Sequence, residues 1–256
     1  MLIVSLAVIA SRISNLPEIL ACLERQTAPP DKILIYYSYE PWHLDSGMNE
    51  PLSVHSNLDV EMIAVPNLGS CRKYLHTINR YRHTDATVVL IDDDTVWKDD
   101  VFQALAVYTA VGQAATTRGW SEFDILYDGL WPRFQRGRPV VAHKIWRPTE
   151  VLVPSSGWAT MFRAADVNPQ VLDPRLHRQY RVAYSDEIFL SAMLRARKFV
   201  VPMSEPFYRL LPTPSTLSHQ QETFYAKALQ TDLLDPAERR RLMPAAAVRS
   251  LHPWAR

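Results

Sequence analysis

Glycine is scarce in this chain. Seven glycines serve 256 residues. Neither the dinucleotide-binding fingerprint nor the Walker phosphate loop occurs, because both need a glycine spacing that is missing here. A protein of this composition that handles phosphate must find positive charge elsewhere. Cysteine is scarcer still. Cys22 and Cys71 make no disulfide framework and no zinc pattern, and they read as buried or helix-face side chains in a reducing compartment. Net charge is almost absent: 28 basic against 27 acidic residues leave +1, which excludes a general field for attracting nucleic acid. Arg239, Arg240, Arg241, Arg249 and Arg256 gather near the C-terminal end and suit a local contact with anionic lipid headgroups. No apolar run is long enough to cross a bilayer. The opening "MLIVSLAVIA" has no basic residues ahead of its short apolar run, so it reads as a buried strand and not as a signal peptide. A cytoplasmic, at most membrane-peripheral, protein is expected.

What is present is alternation. At 47% hydrophobic, the chain can bury one sizeable domain, expected over residues 1–235, with a C-terminal helix and loose tail over 236–256. "LIVSLAVI" reads as a strand. The following "NLPEILACLERQ" reads as a helix capped by Asn15, with Leu16, Ile19, Leu20 and Leu23 on one face. "KILIYYS", "DVEMIAV" and "ATVVLI" read as further strands, with helices over "GSCRKYLHTINRYR" and "KDDVFQALAVYTAV". This order predicts an α/β domain with a mostly parallel, Rossmann-like sheet flanked by helices. The second half is less regular. "FDILYDGLWPRF" and "RPVVAHKIWRP" read as a ribbon, "SDEIFLSAMLRARK" as a helix capped by Ser185, and "QQETFYAKALQTDLL" and "PAERRRLM" as C-terminal helices.

"VVLIDDDTVW" poses the central question, because five apolar residues run into Asp92, Asp93 and Asp94. Adjacent carboxylates repel, and burying one unpaired is costly. An acidic turn that caps the helix near Lys98 is the plain explanation. The other is a cation, since ligands of such sheets bind beyond the carboxyl ends of the strands. Hard carboxylate oxygens suit Mn²⁺ or Mg²⁺, which can bridge diphosphate oxygens. On an extended backbone Asp92 and Asp94 share a side and Asp93 points elsewhere.

The order of these segments resembles the GT-A fold nucleotide-diphospho-sugar glycosyltransferases, especially the family-two-like members. "ASRISNLPEILACLERQTAPPDKILIYYS" is similar to their opening strand, helix and second strand. "PNLGSCRKYLHTI" is similar to the loop and helix that pass the nucleotide, and "VVLIDDDTVWKDDVFQAL" to their D-x-D strand end. "SGWATMFRAADV" and "YSDEIFLSAMLRARKFVVP" are similar to the acceptor-side segment and to the acidic segment that carries the base in inverting members. The resemblance spans residues 2–203. It implies a metal-dependent transferase passing a sugar from a nucleotide-diphospho-sugar to a hydroxyl on a glycan or glycolipid acceptor, in bacterial surface glycan synthesis. Ala10, Ser11 and Arg12 would lie beside the nucleobase and Ser38 at the end of the second strand. Many members have an acid there, so Glu40 is a substitute for Ser38. Gly69 would let the chain approach the nucleotide, and Arg72 or Lys73 would meet the base or diphosphate. Asp92 would contact ribose or metal, Asp93 would bind or orient, and Asp94 would bind the metal. Asp186, with Glu187 in reserve, would be the base.

Each assignment has a bland counterpart. Arg72 and Lys73 also suit a solvated helix face, and Asp186 and Glu187 suit ordinary caps at a helix start. Trp120 and Trp158 are candidates to stack on acceptor sugars, although tryptophan is more often a packing anchor. His219 is a candidate further metal ligand in a loop where a solvated histidine is the ordinary case. A retaining mechanism stays open, since a D-x-D site serves both stereochemical outcomes. A nucleotidyltransferase would carry a glycine-rich basic loop after the first strand, which "ASRISNLPE" lacks. A non-catalytic binding module of the same fold is the remaining alternative.

Overall fold

The computed structural model describes residues 1–128, 130–213 and 221–242. In chain order the strands are β1 (Leu2–Ala7), β2 (Lys32–Tyr37), β3 (Val60–Ala64), β4 (Thr87–Leu90), β5 (Thr95–Trp97), β6 (Ala114–Thr116), β7 (Arg118–Asp128), β8 (Trp131–Val141), β9 (Thr149–Glu150), β10 (Val153–Pro154), β11 (Thr160–Arg163), β12 (Lys198–Val200) and β13 (Tyr208–Leu210). The helices are α1 (Leu16–Glu24), α2 (Arg72–Tyr81), α3 (Val101–Thr109), α4 (Pro174–Gln179), α5 (Glu187–Met193), α6 (Gln221–Gln230) and α7 (Pro236–Leu242). Eight strands form one sheet in the order β3-β2-β1-β4-β11-β6-β12-β9. β3, β2, β1 and β4 are mutually parallel, as are β6 and β12, while β11 and β9 run against their neighbours.

The near-continuous apolar runs of the parallel strands are explained by burial on both faces. Val4, Leu6, Ile33, Ile35, Val89 and Ile91 pack with the Leu16–Leu23 stripe of α1 and with Phe102 and Leu105 of α3. The alternate residues Ile3, Leu34, Tyr36, Val88 and Leu90 pack with Tyr74, Leu75 and Ile78 of α2 and Phe189 of α5. Each fully buried side chain of this kind contributes about 1.5–3 kcal/mol. Ser5 interrupts the β1 pattern because it meets a polar helix residue. Its hydroxyl lies 2.7 Å from Thr77 Oγ1, which also meets Tyr36 OH at 2.9 Å. This polar contact fixes the seat of α2, and with it the aim of Lys73 one turn earlier.

The antiparallel β11 matters for the site. It starts at the edge where β4 ends, so the turn before it faces the aspartates, and Asp92 N–H donates to Gly157 O at 3.2 Å. Several local expectations change. Asn15 stands at the N-cap position of α1 but makes no side-chain cap bond; its amide donates to Asp93 O at 3.0 Å instead. The ribbon is a single hairpin of β7 and β8, turning near residues 128–131, so "FDILYDGLWPRF" supplies parts of both strands. The helix expected over 185–198 is only α5, because the chain must extend into β12 at Lys198. Its N-cap position is Asp186 and not Ser185. At the far side, Lys198 ties α7 to the sheet through Glu238 at 2.9 Å. No helix among the described residues is long and apolar enough to cross a membrane.

Candidate active site

A cavity of about 220 Å³ opens beyond the carboxyl ends of β1 and β4. Its lining brings together Arg12, Lys73, all three aspartates of the triplet, Asp186 and Glu187. The triplet is not a cap. β5 intervenes, and α3 begins only at Val101 with Asp100 before it.

The chain itself meets the stacked charge. Arg12 Nη1 lies 2.7 Å from Asp93 Oδ1 and 3.0 Å from Asp94 Oδ2. Lys73 Nζ lies 2.8 Å from Asp92 Oδ1 and 3.2 Å from Asp186 Oδ2. Lys73 sits in the first turn of α2, the wrong helix end for a cation. Burial also opposes its charge, but Asp186 and Asp92 outweigh that and raise the amine above its ordinary value. Asp93 is nearly sealed, and burial pushes its carboxyl up to about 6 against the pull of Arg12. Burial and the neighbouring Asp92 raise Asp94 too. Asp92 is the open member, with a side chain 40% exposed.

Asp186 behaves differently from its buried neighbours. Burial alone would raise it, yet Lys73, a Ser156 hydroxyl donating at 2.9 Å and Ser70 hold it below the usual carboxylate range. Asp186 stands at the N-cap position of α5 but makes no side-chain cap bond, and its carboxylate is engaged by Lys73 and Ser156 instead. Glu187 accepts from Ser155 Oγ at 2.8 Å and pairs with Lys227 at 3.3 Å, facing the same cavity.

No family model and no curated protein matches the chain. Solved structures do. S. aureus TarS 1–349 in complex with UDP-GlcNAc superposes with a TM-score of 0.54 at 12% identity, covering 94% of this chain and 70% of that one. A longer S. aureus TarS chain gives 0.50 at 11% identity, covering 94% and 42%. TarS 1–349 in a further crystal structure gives 0.50 at 12% identity, covering 94% and 68%. The chain has the fold of TarS. This is the GT-A arrangement that the order of sequence segments implied.

Within this TarS-like fold the expected site residues divide. Arg12, Gly69, Arg72, Lys73, Asp92, Asp93, Asp94, Asp186 and Glu187 all line the cavity. Ala10, Ser11, Ser38 and Glu40 do not. Ala10 N–H donates to Asp45, Ser11 faces outward, and Ser38 is buried, accepting from the Glu40 N–H at 3.0 Å. Trp120 and Trp158 flank Arg118, whose guanidinium carbon lies 5.5 Å and 4.8 Å from their rings, outside the cavity lining. Trp158 also packs edge-on against Tyr208 at 4.6 Å. His219, Arg249 and Arg256 lie outside the described residues.

Two residues have a structural duty that the sequence reading did not assign. Gly69 has φ +65°, and a Cβ there would overlap the Ala183 carbonyl, so its small size serves the approach of the segment leading to Asp186. Arg72 is 1% exposed and is no solvated helix-face residue. It donates to Val8 O and Asp45 Oδ2, both at 2.8 Å, and to Asn67 Oδ1 at 3.0 Å. Asp45, Asn67, Ser156 and Lys227 were missed. The "DSG" turn was the one available signal, for Asp45 accepts from Gly47 N–H as turn aspartates do.

The donor set can be tested against a divalent cation. Among the described residues no three Asp, Glu, His or Cys side chains converge as a metal-binding group. Magnesium-type sites need only one or two carboxylates when substrate phosphates complete the shell. Asp92 and Asp94, which both line the cavity, would be those carboxylates. The charge balance agrees: six carboxylates and four Lys or Arg side chains line the cavity, leaving two net negative charges.

Proposed function

We propose that this protein is a glycosyltransferase that moves a sugar from a nucleotide-diphospho-sugar to an acceptor hydroxyl, with inversion. The observation that carries the reading is Lys73. One buried amine joins Asp92 of the triplet to Asp186, so the triplet and Asp186 line one cavity, which supports reading them as the diphosphate side and the base of one reaction. Asp92 and Asp94 would hold Mn²⁺ or Mg²⁺, whose Lewis acidity would offset the charge developing on the departing diphosphate. Asp186, kept ionised at neutral pH, takes the proton of the acceptor hydroxyl. The acceptor oxygen then bonds to the anomeric carbon, and the bond from that carbon to the diphosphate oxygen breaks with its electron pair on the leaving nucleoside diphosphate. Glu187 is the second candidate for the base. A glycan or glycolipid acceptor in bacterial surface glycan synthesis is proposed on resemblance alone.

The test is incubation with UDP-, GDP- and dTDP-linked sugars, with and without Mn²⁺, while free nucleoside diphosphate and pyrophosphate are both followed. Nucleoside diphosphate release that depends on a hydroxyl acceptor supports the reading. Pyrophosphate release would make the protein a nucleotidyltransferase, and release of neither, despite binding, a non-catalytic module.

A further inference from the structure

We propose that Arg12 is a resident counter-cation that occupies the Asp94 carboxylate until nucleotide arrives, so that the divalent cation enters only together with a diphosphate. This rests on the reading of Asp94 as a metal ligand. Arg12 belongs to the short helical segment Ala10–Asn15 that follows β1 at the cavity edge. One nitrogen, Nη1, serves both Asp93 and Asp94. The two acids differ in their freedom. Asp93 also accepts the Ile9 N–H at 3.1 Å and its side chain is only 5% exposed, so it is a fixed anchor for the guanidinium. Asp94 is the outer acid, 21% exposed, and both its oxygens are engaged: Oδ2 by Arg12 and Oδ1 by the Thr95 hydroxyl at 3.1 Å.

A cation approaching Asp94 alone must therefore displace a guanidinium and gains few ligands in return. Lys73 repels it from the Asp92 side. A diphosphate changes both conditions. Its oxygens complete the shell of the incoming ion. They also offer the planar guanidinium a new bidentate partner, so Arg12 can leave Asp94 while keeping Asp93. Apparent affinity for a ligand falls by the fraction of protein that is competent to take it. A charge-assisted hydrogen bond that must first be broken makes that reduction about ten- to a hundredfold.

The experiment is direct titration of Mn²⁺, read by the electron paramagnetic resonance of the free ion, with Mn²⁺ alone and with UDP, GDP or dTDP. The proteins are wild type, Arg12→Gln, and the double variant Arg12→Gln with Asp93→Asn. The double variant removes the buried carboxylate that the single variant leaves unpaired, so it decides the question if the single variant fails to fold. The expected result is weak uptake of Mn²⁺ alone by wild type, restored by a nucleoside diphosphate. Arg12→Gln should take up Mn²⁺ alone about ten- to a hundredfold more tightly. A folded variant no tighter than wild type for Mn²⁺ alone, in a protein that binds Mn²⁺ with nucleotide, overturns the role of Arg12 and leaves the metal site standing. A wild type that takes up no Mn²⁺ with any nucleotide overturns both.

Discussion

Lys73→Met isolates the central ion-pair network. The substitution keeps the unbranched apolar stem of the side chain and removes the amine that lies between Asp92 and Asp186. Asp92 is 40% exposed and falls back on water, so little of the cost arises there. Asp186 is 6% exposed and keeps only its hydroxyl partners. Breaking a buried pair by removing one partner costs about 3–5 kcal/mol, and the surviving Ser156 bond argues for the lower end, about 3 kcal/mol. For a domain of this size that is a fall in Tm of about 6–12 °C at neutral pH.

The pH dependence carries the sharper test. In the wild type, Asp186 is held below its unfolded value of 3.8, so its contribution is complete above that value and is lost as pH falls through the folded value. In the variant, burial acts without Lys73 and raises the carboxyl, so the folded form binds the proton more readily than the unfolded chain. The variant then loses stability as pH rises through the carboxylate range. The gap between the two proteins should be widest at neutral pH and should narrow toward pH 4. Thermal melts at closely spaced pH values measure it, and Asp186→Asn in the Lys73→Met background should recover most of the loss. A penalty that is the same at pH 4 and pH 7, or one untouched by the second substitution, would refute the pairing argument.

Three further outcomes are expected. Asp186→Asn should keep nucleotide-sugar affinity, measured by calorimetry, while turnover falls about 10²–10⁴-fold as for loss of a general base; full activity would move attention to Glu187 or to a retaining mechanism. Asp94→Ala should keep the apo Tm but lose the Mn²⁺-dependent stabilisation that a nucleoside diphosphate gives in a thermal-shift assay. Gly69→Ala should destabilise by about 1–3 kcal/mol from the positive φ and the overlap with Ala183, seen as a lower denaturant midpoint, and an unchanged midpoint would mean the two segments separate freely.

Much of the fold was legible because its strands are buried on both faces. The runs around Val4, Ile35 and Val89 admit few other readings, and the carboxyl-edge rule then placed the triplet at the ligand side of the sheet. The pairing within the site was not legible. Arg12 reaches acids 81 and 82 residues away, and Lys73 links partners on two other segments. No periodicity records such contacts. Sequence alone could not separate the base reading of Asp186 from the cap reading, because helix starts favour acids, and only the tertiary position of Lys73 and Ser156 shows where its side chain is held. The hairpin was blurred for a related reason: β7 and β8 mix apolar residues with arginine, glycine and proline, so neither alternates cleanly.

The three aspartates at the end of β4 are tolerated because each meets a different environment. Asp93 is buried and anchored, Asp94 shares the same guanidinium at the rim, and Asp92 looks outward while touching Lys73. A chain that needed only a solvated turn would not sink Arg12 and Lys73 into its core edge, since each loses water there and requires compensating carboxylates. A buried lysine and a largely buried arginine that hold four carboxylates in one cavity are costly for stability alone. They make physical sense if the cavity must accept a charged phosphate together with a cation, because the phosphate would then take the side-chain cations while the incoming cation takes the carboxylates they release.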